Sequence, residues 1–227
     1  GGGVIGDMAG FAAATFMRGI DFFQVPTSLM AQVDSSIGGK TGVNLEEGKN
    51  LVGAFCQPRA VITDVNTLKT LPEREYVSGF AEIIKHAVIL DAQYFAYLED
   101  NAGALLARDP DALTRAIAWS ARLKAGVVAG DEREAGRRAI LNYGHTVGHA
   151  LESLSGYGTL LHGEAVSLGM CAAAGLSAEM GFCDATTRDR QKRLLEAFGL
   201  PVRLLSSAPT ERAAYFIGHD KKSKDGK

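Results

Sequence analysis

The sequence predicts an α/β domain, here incomplete, over residues 1–66 and an all-α domain over residues 67–227. Two observations predict the α/β domain. A glycine-rich turn opens the chain and leads into an apolar helical segment, and two short segments with the pattern of buried strands follow it. The all-α domain is predicted because long helical patterns follow Thr67, separated only by Gly, Pro or Asp and with few β-branched clusters.

The first element is the turn at Gly1–Asp7, which leads into a helix ending at about Arg18 with Gly19 as its cap. Such a turn normally follows a β-strand. None precedes it here, so we expect the chain to be a fragment or to be numbered from inside a domain. The later elements are a strand at Asp21–Pro26, a glycine- and polar-rich loop at Asp34–Gly53 and a strand at Arg59–Asp64.

The second domain begins with a helix-start pattern at Leu71–Glu75. The polar end at residues 219–227 has the character of a loop that stops before its next element, so we also expect a truncated C-terminus. The predicted helices are Tyr76–Leu90, Ala92–Ala107, Pro110–Gly130, Ala139–Leu154, Gly163–Met180, Thr186–Phe198 and Thr210–Ile217.

Composition narrows the class of protein. The 227 residues are 46% hydrophobic, which is ample for a buried core, and the net charge of −2 gives no overall reason to expect nucleic acid or a membrane as partner. No apolar run approaches the roughly 20 residues needed to span a bilayer. Three cysteines without CxxC spacing favour buried thiols in a reducing compartment. We therefore predict a cytoplasmic location.

Histidines are concentrated in one stretch. His145 and His149 share one helix face at i and i+4, Glu152 follows, and His162 lies after a glycine-containing turn. The spacing alone is as typical of core or surface histidines, but three of the five histidines fall within 18 positions, which favours a metal site. Glu82, an acid among apolar helix residues, needs a partner if it is buried rather than on a solvent face. Two histidines and a glutamate leave one position open on zinc, as catalytic sites do.

Two segments have the composition of phosphate-binding sites. The turn Gly1-x-Gly3-x-x-Gly6 offers backbone N–H groups and a helix N-terminus to a pyrophosphate, although a plain tight turn has the same pattern. The segment from Asp34 to Asn50 combines lysines, amides and glycines. A P-loop is excluded there, because Asp34 stands where its first glycine is required. The charged positions Asp131, Glu132, Arg133 and Arg137 are assigned to a solvated, salt-bridged turn.

Six motifs occur in the order found in the 3-dehydroquinate synthase family, and together the chain resembles that family over essentially its whole length. They are GGGVIGDMAGF, VPTSLMAQVDSSIGGKTGVN, GKNLVGAF, SGFAEIIKHAVI, DERE with LNYGHTVGHALE, and LHGEAV. The resemblance implies a Rossmann-like NAD-binding domain followed by an all-α metal- and substrate-binding domain. It also implies a homodimer whose cofactors are NAD and Zn²⁺, with Co²⁺ as an alternative ion.

The resemblance also implies roles for individual residues. The metal ligands would be Glu82, His145 and His162. Catalytic positions would be Asp34, Lys85 and Glu134 around the reacting hydroxyls and His149 at the substrate phosphate. The phosphate would also meet Lys40, Asn50, Lys222 (rather than Lys221) and Arg18 of a neighbouring subunit, and the substrate carboxylate would meet Lys124, Arg138 and Asn142. The NAD positions would be Gly2, Gly3, Asp7, Thr27, Ser28, Lys49, Thr67 and Thr70.

The implied reaction converts 3-deoxy-D-arabino-heptulosonate 7-phosphate to 3-dehydroquinate and phosphate, a lyase step of the shikimate route to aromatic amino acids. The alternatives are a sibling cyclase of the valiolone- or inosose-forming type, and a metal-dependent polyol dehydrogenase. Lys124 and Arg138 favour the acid substrate, because two cations suit a carboxylate. Lys40, Asn50 and His149 favour a cyclase over the dehydrogenase. A non-catalytic relic is disfavoured by the intact Glu82, His145 and His162.

Overall fold

The computed structural model describes residues 1–45, 48–155 and 159–204, without the side chains of residues 48–50. It contains two compact units, which do not follow chain order. The first unit comprises Gly1–Gly79 and Gly103–Ala139, and the second comprises Phe80–Ala102 and Ile140–Lys227. The division predicted at residues 66 and 67 stays a prediction. Among the described helices, none combines the length and the apolarity that crossing a membrane requires.

The first unit opens with helix α1 (Gly3–Thr15), so the glycine turn is shorter than predicted and Gly3 and Gly6 already lie in the helix. Strands β1 (Phe23–Gln24) and β4 (Ala60–Val61) pair in parallel, with Phe23 opposite Ala60. Both strands were expected to be buried, and that expectation is wrong for the described chain, since Phe23 is 63% exposed.

The structure corrects the prediction of a loop at Asp34–Gly53. Strands β2 (Lys40–Leu45) and β3 (Gly48–Phe55) form an antiparallel hairpin here, with Gly42 opposite Gly53. A Cβ atom on Gly53 would lie 2.1 Å from the carbonyl oxygen of Thr41. The glycines therefore allow two strand backbones to approach closely, and they do not mark a loop. Composition alone does not distinguish these two uses of glycine.

Within the described residues, six of the seven helices predicted after Thr67 are confirmed, and all of their ends but one lie within three residues of the predicted positions. Helix α4 begins and ends at the predicted residues. The Asp109 carboxylate caps its N-terminus by accepting a hydrogen bond from Ala112 N at 2.9 Å. The structure contains α2 (Glu73–Leu90), α3 (Ala92–Leu106), α4 (Pro110–Gly130), α5 (His145–Ser155), α6 (His162–Glu179) and α7 (Ala185–Ala197). The helix predicted at Thr210–Ile217 lies outside the described residues.

The helix predicted at Ala139–Leu154 is interrupted. A 3₁₀ segment at Arg137–Asn142 precedes α5, and Gly144 between them adopts a φ of +78°. This left-handed conformation strains any residue but glycine. The break makes His145 the first residue of α5, where its orientation is set by the turn before it.

Candidate metal centre and anion-binding residues

Three side chains of the second unit, each from a different helix, converge on one point. Glu82 lies on α2, His145 begins α5 and His162 begins α6. Glu82 Oε1 is 3.5 Å from His145 Nε2 and 3.7 Å from His162 Nε2. One potential ligand atom from each residue lies within 4.8 Å of the others. The three residues implied as metal ligands are therefore together in space.

The convergence depends on close packing of α5 against α6. A Cβ atom on Gly169 would lie 1.8 Å from the carbonyl oxygen of Gly144, and one on Gly148 would lie 3.1 Å from that of Ala165. Glycine at both positions lets the two backbones approach. The start of α6 is fixed by Glu164, whose carboxylate accepts a hydrogen bond from Leu161 N at 2.8 Å. His162 is thereby held beside the start of α5.

The His145 ring is oriented by the residue two positions before it. The carbonyl oxygen of Tyr143 lies 3.2 Å from Nδ1 of His145, and the Tyr143 hydroxyl is itself anchored to Gln191 Oε1 at 2.8 Å. A proton on Nδ1 then points at the carbonyl, and Nε2 keeps its lone pair directed at Glu82. This is the usual way in which a histidine ligand is held in one tautomer.

Glu82 is ionised although it is fully buried. Burial raises its pKa, but the charge of Lys85, with which it is ion-paired, together with His162 outweighs burial and holds the pKa well below its usual range. Burial lowers the pKa of His145, helped by the charge of Lys85. For His162, burial also acts to lower the pKa, but Glu152 and Glu82 raise it above its usual value. A proton on His162 therefore competes with any metal ion.

These residues fit a divalent metal. Among the described residues neither Glu82 oxygen accepts a hydrogen bond of acceptable geometry, so beside its ion pair with Lys85 the buried carboxylate has acceptor capacity left for a metal. Zinc bonds of about 2.0–2.1 Å in a tetrahedron place ligand atoms about 3.3 Å apart. The separations of 3.5 and 3.7 Å approach that value. Two imidazole nitrogens and one carboxylate make the donor set of a catalytic zinc site.

His149 lies beside the three ligand candidates, one turn after His145 on the same face of α5. Its ring centroid is 5.3 Å from that of His145 and 6.1 Å from that of His162. The buried Lys85 completes the polar cluster through its ion pair with Glu82. The cluster of the second unit thus contains the three predicted metal ligands and two of the predicted catalytic residues.

Two cations of the first unit, the buried Lys124 and the exposed Lys40, are each paired with a carboxylate. Lys124 Nζ lies 2.5 Å from Asp34 Oδ1 and 2.7 Å from the Asp34 carbonyl oxygen. Lys40 is ion-paired with Glu134, a non-glycine residue with a left-handed φ of 58°. Such backbone strain persists only where the surroundings impose it, and it is concentrated at functional sites. The structure thus joins predicted catalytic and substrate residues in two ion pairs.

Arg138 is held by backbone carbonyls. Its guanidinium donates to Glu132 O at 2.5 Å and to Gly38 O at 3.1 Å, and the side chain is buried. A Cβ atom on Gly38 would lie 2.3 Å from Nη2 of Arg138, and Gly38 has a φ of +112°. Glycine is needed there both for its conformation and for space. Arg138 therefore presents its charge from a fixed position.

The Asp131 carboxylate, assigned from the sequence to a solvated turn, also organises the turn that carries Glu134 and Arg138. It accepts hydrogen bonds from the backbone N–H groups of Ala135 and Gly136, each at 2.8 Å, and of Arg138 at 2.9 Å. These hydrogen bonds hold its pKa below the usual range. Sequence reasoning missed this role, and the only signal was an acid directly after the end of α4.

Some of the described residues assigned to NAD, among them Thr27 and Ser28, lie near the start of α1. Thr27 N donates to Gly1 O at 3.0 Å, and a Cβ atom on Gly2 would lie 3.5 Å from Ser28 Oγ. Sequence reasoning missed Gln32, whose buried amide donates to Thr67 Oγ1 at 3.1 Å and to Asp64 O at 3.0 Å. Thr70 Oγ1 donates to Thr67 O at 3.5 Å. Thr67 therefore connects Gln32 with Thr70.

Asp7 gives a prediction about pH. Burial and the charge of Asp34 raise its pKa to about 6, while Lys124 acts in the opposite direction. A carboxyl group whose pKa is raised by folding stabilises the fold below its unfolded pKa, and that contribution is lost as pH rises to about 6. We expect the stability of Asp7→Asn, relative to the native protein, to increase as pH rises through this window. Urea unfolding at pH 4 and pH 7 measures it, and an equal difference at both values would contradict it.

The other predicted positions are less informative. Arg18 is exposed and, like Met17 before it, has a positive φ, of 67°. Asn142 ends the 3₁₀ segment before α5. The side chains of Lys49 and Asn50, and the whole of Lys222, lie outside what the structure describes.

Sugar-phosphate cyclases are among the solved structures that resemble this fold. A 2-epi-5-epi-valiolone synthase from Streptomyces hygroscopicus with NAD⁺ and Zn²⁺ bound superposes with a TM-score of 0.91 at 29% identity, over 99% of this chain and 62% of its own. A 2-deoxy-scyllo-inosose synthase complexed with carbaglucose-6-phosphate, NAD⁺ and Co²⁺ gives 0.89 at 32% identity, over 97% and 60%. The fold is therefore part of a Rossmann-like α/β domain together with an all-α domain.

The family models make the assignment specific. Residues 1–78 match the 3-dehydroquinate synthase N-terminal model and residues 79–223 the C-terminal model. The chain therefore belongs to the 3-dehydroquinate synthase family. A curated 3-dehydroquinate synthase from Citrifermentans bemidjiense is 57% identical over 225 residues, 99% of this chain, and the chain spans 62% of that relative's length.

Proposed function

We propose that the protein to which this chain belongs is a 3-dehydroquinate synthase, converting 3-deoxy-D-arabino-heptulosonate 7-phosphate to 3-dehydroquinate and phosphate in the shikimate pathway. It is a lyase that uses bound NAD and a metal ion. The single observation that carries the proposal is the ligand cluster of Glu82, His145 and His162, found in a chain that matches this family from residue 1 to residue 223. The 57% identity to a curated 3-dehydroquinate synthase supports the choice of substrate.

In this proposal the metal is Zn²⁺, with Co²⁺ as an alternative, as the cyclase structures with Zn²⁺ or Co²⁺ bound suggest. When bound, NAD supplies a hydride acceptor and the metal a Lewis acid for one substrate oxygen. His145 contributes Nε2 as a ligand, because the Tyr143 carbonyl holds its other nitrogen. Lys85 keeps the buried Glu82 ionised, and His149 approaches the substrate phosphate beside the ligands.

The substrate's two anionic ends need two groups of cations. We assign its carboxylate to Lys124, Arg138 and Asn142, because Arg138 is rigidly held and a planar guanidinium suits a carboxylate. The phosphate goes to Lys40, Asn50, His149, Lys222 and, in a homodimer, Arg18 of the second subunit. Asp34 and Glu134, now paired with Lys124 and Lys40, contact the reacting hydroxyls. Substrate binding then exchanges ion pairs instead of burying new, unpaired charges.

NAD is assigned to the start of α1 and to the threonines near Gln32. The N-terminus of a helix attracts a pyrophosphate, and Gly2 and Gly3 leave its N–H groups accessible. We assign the remaining contacts with NAD to Asp7, Thr27, Ser28, Lys49, Thr67 and Thr70. We place the boundary of the nucleotide-binding domain after residue 66 and propose a cytoplasmic location.

The sibling cyclases are the second candidate, favoured by TM-scores of 0.91 and 0.89. The substrate's carboxylate distinguishes them from a 3-dehydroquinate synthase, so the test is an assay of the full-length protein for phosphate release with NAD and zinc. Turnover of the seven-carbon acid that requires zinc supports the proposal. Turnover without zinc, or a preference for a seven-carbon sugar phosphate without the carboxylate, contradicts it.

Arg138→Ala tests the carboxylate assignment. A buried hydrogen bond to a charged group contributes about 1.5–3 kcal/mol, so we expect kcat/KM for the acid to fall by about one to two orders of magnitude. The control is Arg137→Ala, which removes the same charge from the exposed neighbouring residue and should leave kcat/KM unchanged. An unchanged kcat/KM in Arg138→Ala would favour a sibling cyclase.

A further inference from the structure

Glu152 is a buried carboxylate to which the proposed function assigns no role. It lies on α5, on the same helix face as His145 and His149, with 6% of its surface exposed. Carboxylates at such depth are normally paired or bound to a metal. Its neighbour is His162, whose Nδ1 lies 3.6 Å from Glu152 Oε2.

The His162 ring therefore faces a different carboxylate from each of its nitrogens. Nε2 lies 3.7 Å from Glu82 Oε1, and Nδ1 lies 3.6 Å from Glu152 Oε2. His145 is arranged in the same manner, with Nε2 toward Glu82 and Nδ1 toward the Tyr143 carbonyl at 3.2 Å. Each histidine thus has an acceptor on the side away from Glu82.

A neutral imidazole has one N–H group and one lone pair. An acceptor beside Nδ1 favours the tautomer with the proton on Nδ1, which leaves the lone pair of Nε2 for a metal. A carboxylate is a stronger acceptor than a carbonyl, and its negative charge makes the ligand nitrogen more basic. The orientation of the His162 ring depends more on such an acceptor, because the His162 side chain is 34% exposed and is less confined by packing than that of His145, which is 10% exposed.

We propose that Glu152 is a positioning residue that fixes the orientation and tautomer of His162, so that Nε2 is directed to the metal shared with Glu82 and His145. This inference rests on the metal site of the proposed function. Glu152 acts through His162 and contacts neither the metal nor the substrate. Its contribution is therefore to metal affinity and to the geometry of the ligand set.

The competing arrangement makes Glu152 a ligand itself. His149, Glu152 and His162 also bring one potential ligand atom each within 4.8 Å of one another. That set would take His162 through Nδ1, whereas the set with Glu82 takes it through Nε2. One neutral ring cannot supply both lone pairs, so the two sets exclude each other unless the ring is fully deprotonated. Glu82, whose buried oxygens lack well-aligned hydrogen-bond donors among the described residues, favours the set that includes it.

The test compares Glu152→Gln with the native full-length protein. Glutamine keeps the size of the side chain and removes its charge, and Glu196→Gln on α7 is the control for loss of one carboxylate from the second unit. Zinc affinity is measured by competition with a chelator, metal content by elemental analysis and ligand geometry by the visible spectrum of the Co²⁺ form. Circular dichroism of the metal-free proteins monitors folding.

We expect Glu152→Gln to bind one metal per chain about 10–100-fold more weakly, with an altered Co²⁺ spectrum, while Glu196→Gln matches the native protein. A Glu152→Asp variant should recover part of the affinity even if Glu152→Gln folds poorly. Unchanged affinity in Glu152→Gln would overturn the inference, as would two metals per native chain falling to one in the variant. Phosphate release by the native protein is assayed in parallel, so that failure of the proposed function is seen separately.

Discussion

Glu82→Gln is expected to abolish tight metal binding, and with it zinc-dependent turnover. The substitution removes the anionic ligand from a cluster whose other members are two imidazoles, while keeping the size of the side chain. Residues that only support metal ligands already contribute about 10–100-fold to affinity, so loss of a ligand should cost at least as much. Equilibrium dialysis of the full-length variant against buffered zinc measures the loss.

A second effect must be separated from the first. Glu82→Gln leaves Lys85 charged and buried without its ion-pair partner, and removing one member of a buried pair typically costs about 3–5 kcal/mol of stability. The double variant Glu82→Gln/Lys85→Met removes both charges. We expect it to regain stability but not tight metal binding. Glu75→Gln, at an exposed position of the same helix, is the control. Native-like zinc affinity in the double variant would exclude Glu82 as a ligand.

Gly169→Ala is expected to destabilise the protein by about 3 kcal/mol or more, an unusually large effect for one methyl group. The new Cβ atom would lie 1.8 Å from the carbonyl oxygen of Gly144 and 3.0 Å from Gly148 N. Both neighbours are backbone atoms, which cannot rotate away as a side chain can, so α5 and α6 must separate. Gly144 directly precedes His145, so we expect weaker zinc binding as well.

Gly175→Ala is the matched control. It makes the same change in the same helix, but a Cβ atom there meets nothing within 4 Å. Alanine is the better helix former, so this variant should be about 0.5–1 kcal/mol more stable than the native protein. Denaturant unfolding of both variants gives the comparison. Equal stabilities would show that the packing of α5 on α6 adapts to the methyl group.

The sequence allowed the helices and the ligand set to be predicted for one reason: their signals are local or chemically specific. Asp109 and Pro110 mark the start of α4 by capping chemistry that is readable in the sequence, and His145 and His162 belong to a cluster dense enough to indicate metal. The hairpin at β2 and β3 was missed because its glycines serve contact between strands. Gly42 and Gly53 meet only after the chain has folded, so neither signals a strand by itself.

The supporting residues were missed for a related reason. Asp131 acts through three backbone N–H groups that face it only in one conformation of the turn, and Gln32 through acceptors such as Asp64 O that are remote in sequence. Residue type and spacing carry no record of such partners. Glu152 is the intermediate case, since its place on the His145 face of α5 is readable but its contact with His162 depends on how α5 meets α6.

The origin of the three ligands in α2, α5 and α6 has a consequence for the life of the protein in a cell. An ion bound to Glu82, His145 and His162 would cross-link chain segments that an unfolded chain keeps apart, so mass action ties its uptake to folding. Free zinc at a hundred times its dissociation constant would add about 2.7 kcal/mol to stability. Metal starvation would then reduce the amount of protein through faster proteolysis, as well as the activity of each surviving molecule.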